Sequence, residues 1–238
     1  MTLVYLSKVN VYYGANHAVR DLDMQVEEGE IVGLIGANGA GKSTTMMSIM
    51  GAVKPRSGAV VYEGRNITGL APEQVLKLGI APVMEGRRIF PSLTVEENLR
   101  MGAATIKNKD QIEQDIERWC QLFPILKERI DRPAGNLSGG QQQMLAVARA
   151  IVEPRRLLLI DEPSKGLAPA IIQNLISALN ELKKTRTTIL LVEQNFNMAK
   201  QLGDQVAVMD NGRIVHRGAM AELAQDQALQ SQLLGLSL

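Results

Sequence analysis

Apolar and polar positions follow two periods along this chain, and the switches between them outline its elements. Residues 3–13 and 18–26 read as two short strands, separated by turn-prone Gly14-Ala15-Asn16. Leu157-Leu158-Leu159-Ile160 is a continuous apolar run, the pattern of a parallel strand buried on both faces, and Ile31-Val32-Gly33-Leu34-Ile35 and Thr187–Val192 read as further buried strands. Thr44–Met50 reads as a helix stopped by Gly51. Ser57–Tyr62 opens a hairpin-like segment turning at Glu63–Asn66, a helix follows from Pro72 to Leu78, and Ile80–Val83 is a short buried segment.

From about 86 to 136 the strand pattern stops. Thr94 and Glu97 form a capping box, and Ile112, Ile116, Trp119 and Leu122 recur at helical spacing. This predicts a small helical lobe with Trp119 and Cys120 in its core. A second capping box, Ser138 with Gln141, opens a helix carrying Met144, Leu145, Val147, Ala148 and Ile151 on one face and ending before Pro154. Pro169 starts a helix with Ile172, Leu175, Ile176, Leu179 and Leu182 inward; Lys183 and Lys184 read as its solvated end. After a helix to Leu202 and the strand Val206–Met209, Asn211-Gly212 signals a hairpin whose return strand carries His216 as a structural residue. One helix over roughly 219–234 closes the chain.

Composition narrows the setting. The 238 residues suffice for one large α/β domain with an inserted lobe. Hydrophobic residues make up 45% and aromatics 3%, so the core is aliphatic and Met-rich. A net charge of +1 gives no bulk attraction to nucleic acid or to an acidic membrane surface. Cys120 is the only cysteine, which excludes an intramolecular disulfide and fits a reducing compartment. Met1–Lys8 lacks the regions of a signal peptide, and no apolar run approaches the ~20 residues of a membrane span. Membrane association is therefore expected through a partner.

The chemistry concentrates at strand ends. Gly36-Ala37-Asn38-Gly39-Ala40-Gly41-Lys42-Ser43, running into Thr44, lies between a predicted strand and a predicted helix. In that context the glycines let successive amides point at one anion, and the helix start adds partial positive charge. Lys42 is placed to reach β- and γ-phosphates, and Ser43 to offer its hydroxyl to Mg²⁺. The run 157–160 ends in two carboxylates, Asp161 for Mg²⁺ and Glu162 to polarise a water. Gly139 and Gly140 in a first helical turn cost about 1 kcal/mol each against Ala, which a ligand approaching bare amides would explain. Tyr13 suits stacking on a base or a half-exposed strand position equally, and His17 reads as a surface histidine.

The phosphate loop, Leu137-Ser138-Gly139-Gly140-Gln141 and Leu157–Glu162, in that order, resemble the ATP-binding subunits of ABC transporters over nearly the whole chain. Pro82–Phe90, Leu191-Val192-Glu193-Gln194-Asn195 and Gly166-Leu167-Ala168-Pro169 resemble the LivF-type branch serving branched-chain amino acid import. The resemblance implies an α/β P-loop NTPase fold: a mostly parallel central sheet, an N-terminal antiparallel β subdomain, a nucleotide-binding core over 1–85 and 150–238, and a helical subdomain over 86–149. It implies ATP and Mg²⁺, and a head-to-tail dimer with the same or a paralogous subunit. In that dimer Ser138, Gly139, Gly140 and Gln141 would cover the partner's nucleotide. It also implies polytopic permease subunits, indirectly a solute-binding protein, no nucleic acid, and a place on the cytoplasmic face of the plasma membrane.

Two positions depart from the general family pattern. Glu85 stands where Gln usually helps hold Mg²⁺ and water, and Gln194 where His usually touches the γ-phosphate. Glu85 can bind Mg²⁺ but adds negative charge; Gln194 can donate a hydrogen bond but carries no charge. A weaker intrinsic ATPase is expected than with Gln and His. Arg87 and Arg88 read either as a link to the membrane partner or as solubilising charges. Importers of urea or short amides, a soluble ABC ATPase of repair or translation, and a nucleotide sensor are the competing functions. The single copy, the lack of a heptad insertion and Glu162 weigh against the last two.

Overall fold

The computed structural model describes residues 1–86, 88–103, 106 and 108–235. Arg87 lies outside the described residues.

The N-terminal strands β1 (Thr2–Tyr13) and β2 (Asn16–Glu27) pair antiparallel, with Leu6 opposite Met24. β4 (Ser57–Tyr62) lies on the other side of β1, and β5 (Arg65–Asn66) turns back on β4, giving the sheet order β2-β1-β4-β5. The second sheet is built from β3 (Ile31–Ile35), β6 (Ile80–Val83), β7 (Leu157–Asp161), β8 (Thr188–Glu193), β9 (Gln205–Asp210) and β10 (Arg213–Ala219). Its order is β10-β9-β3-β8-β7-β6, parallel throughout except for the edge strand β10. Ile35 stands opposite Glu193, and Asp161 opposite Val192. This register aligns the carboxyl ends of β3, β7 and β8, so the chemistry-bearing segments that follow them emerge side by side.

The helices are α1 (Lys42–Ile49), α2 (Pro72–Leu76), α3 (Val95–Gly102), α4 (Lys109–Leu122), α5 (Pro124–Glu128), α6 (Gly139–Ile151), α7 (Pro169–Lys184), α8 (Phe196–Leu202), α9 (Met220–Gln225) and α10 (Gln227–Leu234). Both capping boxes form: Glu97 N donates to Thr94 Oγ1 at 3.1 Å, and Gln141 N to Ser138 Oγ at 3.4 Å.

Alternating β7 residues enter different cores. Leu157 and Leu159 join α1 and the antiparallel sheet; Leu158 and Ile160 join α3, α4, α6 and α7. The continuous apolar run is explained by this double burial. Trp119 and Cys120 are buried as expected, but in the same cluster as the sheet residues Leu158 and Leu191.

Three expectations need correction. The final helix is two, because Asp226 ends α9 and its carboxylate caps α10, accepting from Leu229 N at 2.9 Å. Lys183 is not simply solvated: its ammonium lies 2.6 Å from Asp204 Oδ1. His17 is not a free surface residue. It stacks on Tyr12 with ring centroids 4.0 Å apart, and its Nε2 lies 2.8 Å from Asn10 Oδ1.

Candidate functional site

The loop from Gly36 to Gly41 carries the chain from β3 into α1. Its tightness dictates glycine at both ends. A Cβ at Gly36 would stand 2.1 Å from the Met209 carbonyl oxygen; Gly41, at φ +105°, would place one 2.6 Å from the Ala18 oxygen. Ala37, Asn38, Gly39 and Ala40 lie between them, with Ala40 N donating to Ala37 O at 3.2 Å.

Lys42 is only 3% exposed. Its ammonium donates to Gly36 O at 2.8 Å and Ala37 O at 2.9 Å, and stands 3.4 Å from Glu162 Oε1. Ser43 Oγ donates to Asp161 Oδ1 at 3.0 Å. Four residues that the sequence separates by more than a hundred positions thus form two adjoining pairs. Burial pushes the Asp161 carboxyl up to about 6; the Ser43 hydrogen bond opposes this, the Glu162 and Glu85 charges add to it, and Lys42 opposes it again.

Lys42, Ser43 and Thr44 line an open cavity of about 410 Å³ together with Tyr13, Glu85, Glu162 and Lys165. Tyr13 stands at its rim, 46% exposed. Glu85 contributes its carboxylate to an ion pair, 2.7 Å from Lys165 Nζ. Gln194 is exposed just beyond β8, outside the residues lining this cavity. Ser138, Gly139, Gly140 and Gln141 are also outside the lining, at the start of α6. Gly140 has a packing reason of its own: a Cβ there would meet Ile171 Cγ2 at 2.7 Å. Among the described residues no group of three or more His, Cys, Asp or Glu is placed to hold a metal ion. Ser43 Oγ and Asp161 Oδ1 are a pair of hard oxygen atoms beside the loop.

Sequence reasoning missed three residues. Glu193, fully buried, accepts from Ser164 N and Oγ, both at 2.9 Å, and from Gln194 N and Asn195 N, both at 3.1 Å. It ties the segment after β7 to the segment after β8. Burial raises its pKa, and these four donors oppose that rise. Asn98, also fully buried, takes a hydrogen bond from Phe90 N at 2.8 Å and donates to Phe90 O and Thr94 O at 2.9 Å. Lys165 bridges Glu85 and Glu162. A charged residue closing an apolar strand was the visible signal for Glu193; the other two gave none.

A glycine loop at the carboxyl end of a parallel strand, a buried lysine within it and a Ser–Asp pair beside it define a P-loop nucleotide-binding protein. The chain belongs to the ABC transporter family, whose model it matches over residues 19–165. It is 45% identical over 233 residues to the high-affinity branched-chain amino acid transport ATP-binding protein BraG of Pseudomonas aeruginosa, covering 98% of this chain and 100% of that one. It is 36% identical to the probable branched-chain amino acid transport ATP-binding protein LivF of Archaeoglobus fulgidus, covering 96% and 97%. Among solved structures, the ADP conformation of MJ1267, an ATP-binding cassette of an ABC transporter, superimposes with a TM-score of 0.87 at 26% identity, covering 99% and 100%.

Proposed function

We propose that this chain is the ATP-hydrolysing subunit that powers an importer of branched-chain amino acids. The observation that carries the enzymatic half is the meeting of Lys42 with Glu162 and of Ser43 with Asp161. The full-length likeness to BraG supports the transport half.

The donor set fits a magnesium nucleotide. Ser43 and Asp161 offer the hard oxygens Mg²⁺ prefers, and the ion when bound supplies neutralisation of phosphate charge. Lys42, whose ammonium is held on the loop carbonyls of Gly36 and Ala37, binds β- and γ-phosphate oxygens. Glu162 holds and polarises the attacking water, Gln194 donates to the γ-phosphate, and Tyr13 receives the base on its exposed face. Glu85 remains a candidate for the Mg²⁺ shell.

Ser138, exposed and outside the lining of its own cavity, suits contact with a second subunit's nucleotide. Gly139 and Gln141 open the same helix end. No helix of the described residues is long and apolar enough to cross a membrane, so polytopic permease subunits supply the membrane part of this reading, with the chain on the cytoplasmic face.

The test is Glu162→Gln. ATP binding is retained, hydrolysis falls by a factor of at least about a hundred, and a dimer accumulates with ATP on size exclusion. Undiminished turnover removes Glu162 from its role. Recovery of polytopic subunits from membranes with the tagged chain tests the transport half; recovery of ribosomes or DNA instead overturns it.

A further inference from the structure

Glu162 is held from both sides. Its backbone adopts φ +42°, a left-handed conformation that a non-glycine residue adopts at a cost, and its amide donates to Val192 O at 2.9 Å. Oε1 lies 3.4 Å from Lys42 Nζ, and Oε2 lies 3.2 Å from Lys165 Nζ. Lys165 is itself held. Its amide donates to Glu162 O at 3.2 Å, and the preceding Ser164 is clamped by Glu193 through two hydrogen bonds. The Lys165 ammonium then reaches across to Glu85 Oε1 at 2.7 Å. Glu85 follows β6 at the entrance to the helical lobe.

We infer that Lys165 is a positioning residue for the hydrolytic reaction: it fixes the second oxygen of Glu162 and offsets the charge of Glu85. The inference rests on the proposed role of Glu162. With Glu85 and an uncharged Gln194, the site carries one more negative group and one fewer potential cation than a site with Gln and His in those places. Lys165 restores a positive charge beside both carboxylates. Being 53% exposed, it adds little to stability, as surface ion pairs do. Its effect falls instead on Glu162, which is 8% exposed and whose carboxylate would otherwise have Lys42 as its cationic partner. If Glu162 collapsed onto Lys42, the general base and the phosphate-binding lysine would neutralise each other.

The comparison is between Lys165→Met, Lys165→Arg, Glu85→Gln and the double variant Lys165→Met with Glu85→Gln in the full-length chain, by ATPase kinetics and thermal melting. For Lys165→Met, kcat falls about tenfold while KM for ATP and Tm stay near wild type. Lys165→Arg recovers most of kcat because charge and reach are kept. The double variant regains part of the loss, since the uncompensated Glu85 charge is gone. Wild-type kcat in Lys165→Met, or an arginine variant as slow as the methionine one at equal Tm, overturns the inference. Glu162→Gln separates the two failures. If that variant hydrolyses ATP normally, the reading of Glu162 is wrong. If it is inactive while Lys165→Met is normal, only the role of Lys165 is wrong.

Discussion

Burial raises the Asp161 carboxyl from its ordinary 3.8 to about 6. A folded-state value above the unfolded one means that the native protein holds the proton more tightly. The contribution to stability is complete below pH 3.8 and is lost as pH rises through about 6. We therefore expect wild type to lose roughly 2–3 kcal/mol relative to Asp161→Asn between pH 4 and 7 without Mg²⁺, measured by denaturant unfolding. A pH-independent difference between the two would refute this. Glu193 gives a second prediction at this scale. Glu193→Ala strands two backbone amides and the Ser164 amide and hydroxyl, costing about 2–4 kcal/mol. An unfolding midpoint unchanged from wild type would show those donors to be satisfied otherwise. The glycine loop, Asp161 and Glu162 were legible because each stands in a short motif next to an apolar run. Glu193 shows in the sequence only as a charge closing an apolar strand, because its role depends on Ser164, 29 residues away.

Between elements, packing sets demands that a linear pattern does not show. Gly140 reads in the sequence as backbone left bare for a ligand, and Ile171 of α7 adds a packing demand at the same residue. Gly140→Ala should destabilise the protein by about 1–3 kcal/mol, and Ile171→Ala in the same chain should return part of it. Additive losses in the two variants would separate the residues energetically. The start of α6 was readable from its capping box, whereas helix-to-helix approach leaves no mark in a linear pattern. The split of the last helix at Asp226 does not show in the sequence, because Met220 and Leu223 on one side and Leu233 and Leu234 on the other read as anchors of one helix.

Across the whole molecule, the helical lobe shares its apolar cluster with the central sheet, Trp119 lying in the same cluster as Leu158 and Leu191. Trp119 is the only tryptophan, so its fluorescence reports on that cluster. Urea unfolding followed by this fluorescence should coincide with the loss of far-ultraviolet dichroism. Two separated transitions would mean that lobe and core melt independently. The α/β class and the inserted helices were visible in the sequence. The strand order β10-β9-β3-β8-β7-β6 was not, because pairing between strands remote in sequence is set by packing that no local window contains.

The hairpin at Asn211-Gly212 is one of the ties between the two sheets. Gly212 N donates to Ala40 O at 2.9 Å, and Gly212 O accepts from Arg20 N at 2.8 Å. β2, which begins just after Tyr13's turn, and the anion loop are thereby laced through Gly212. Neither can tilt without tearing an amide from the other, so hydrogen–deuterium exchange at Arg20 and Gly212 should slow together when a nucleotide is gripped.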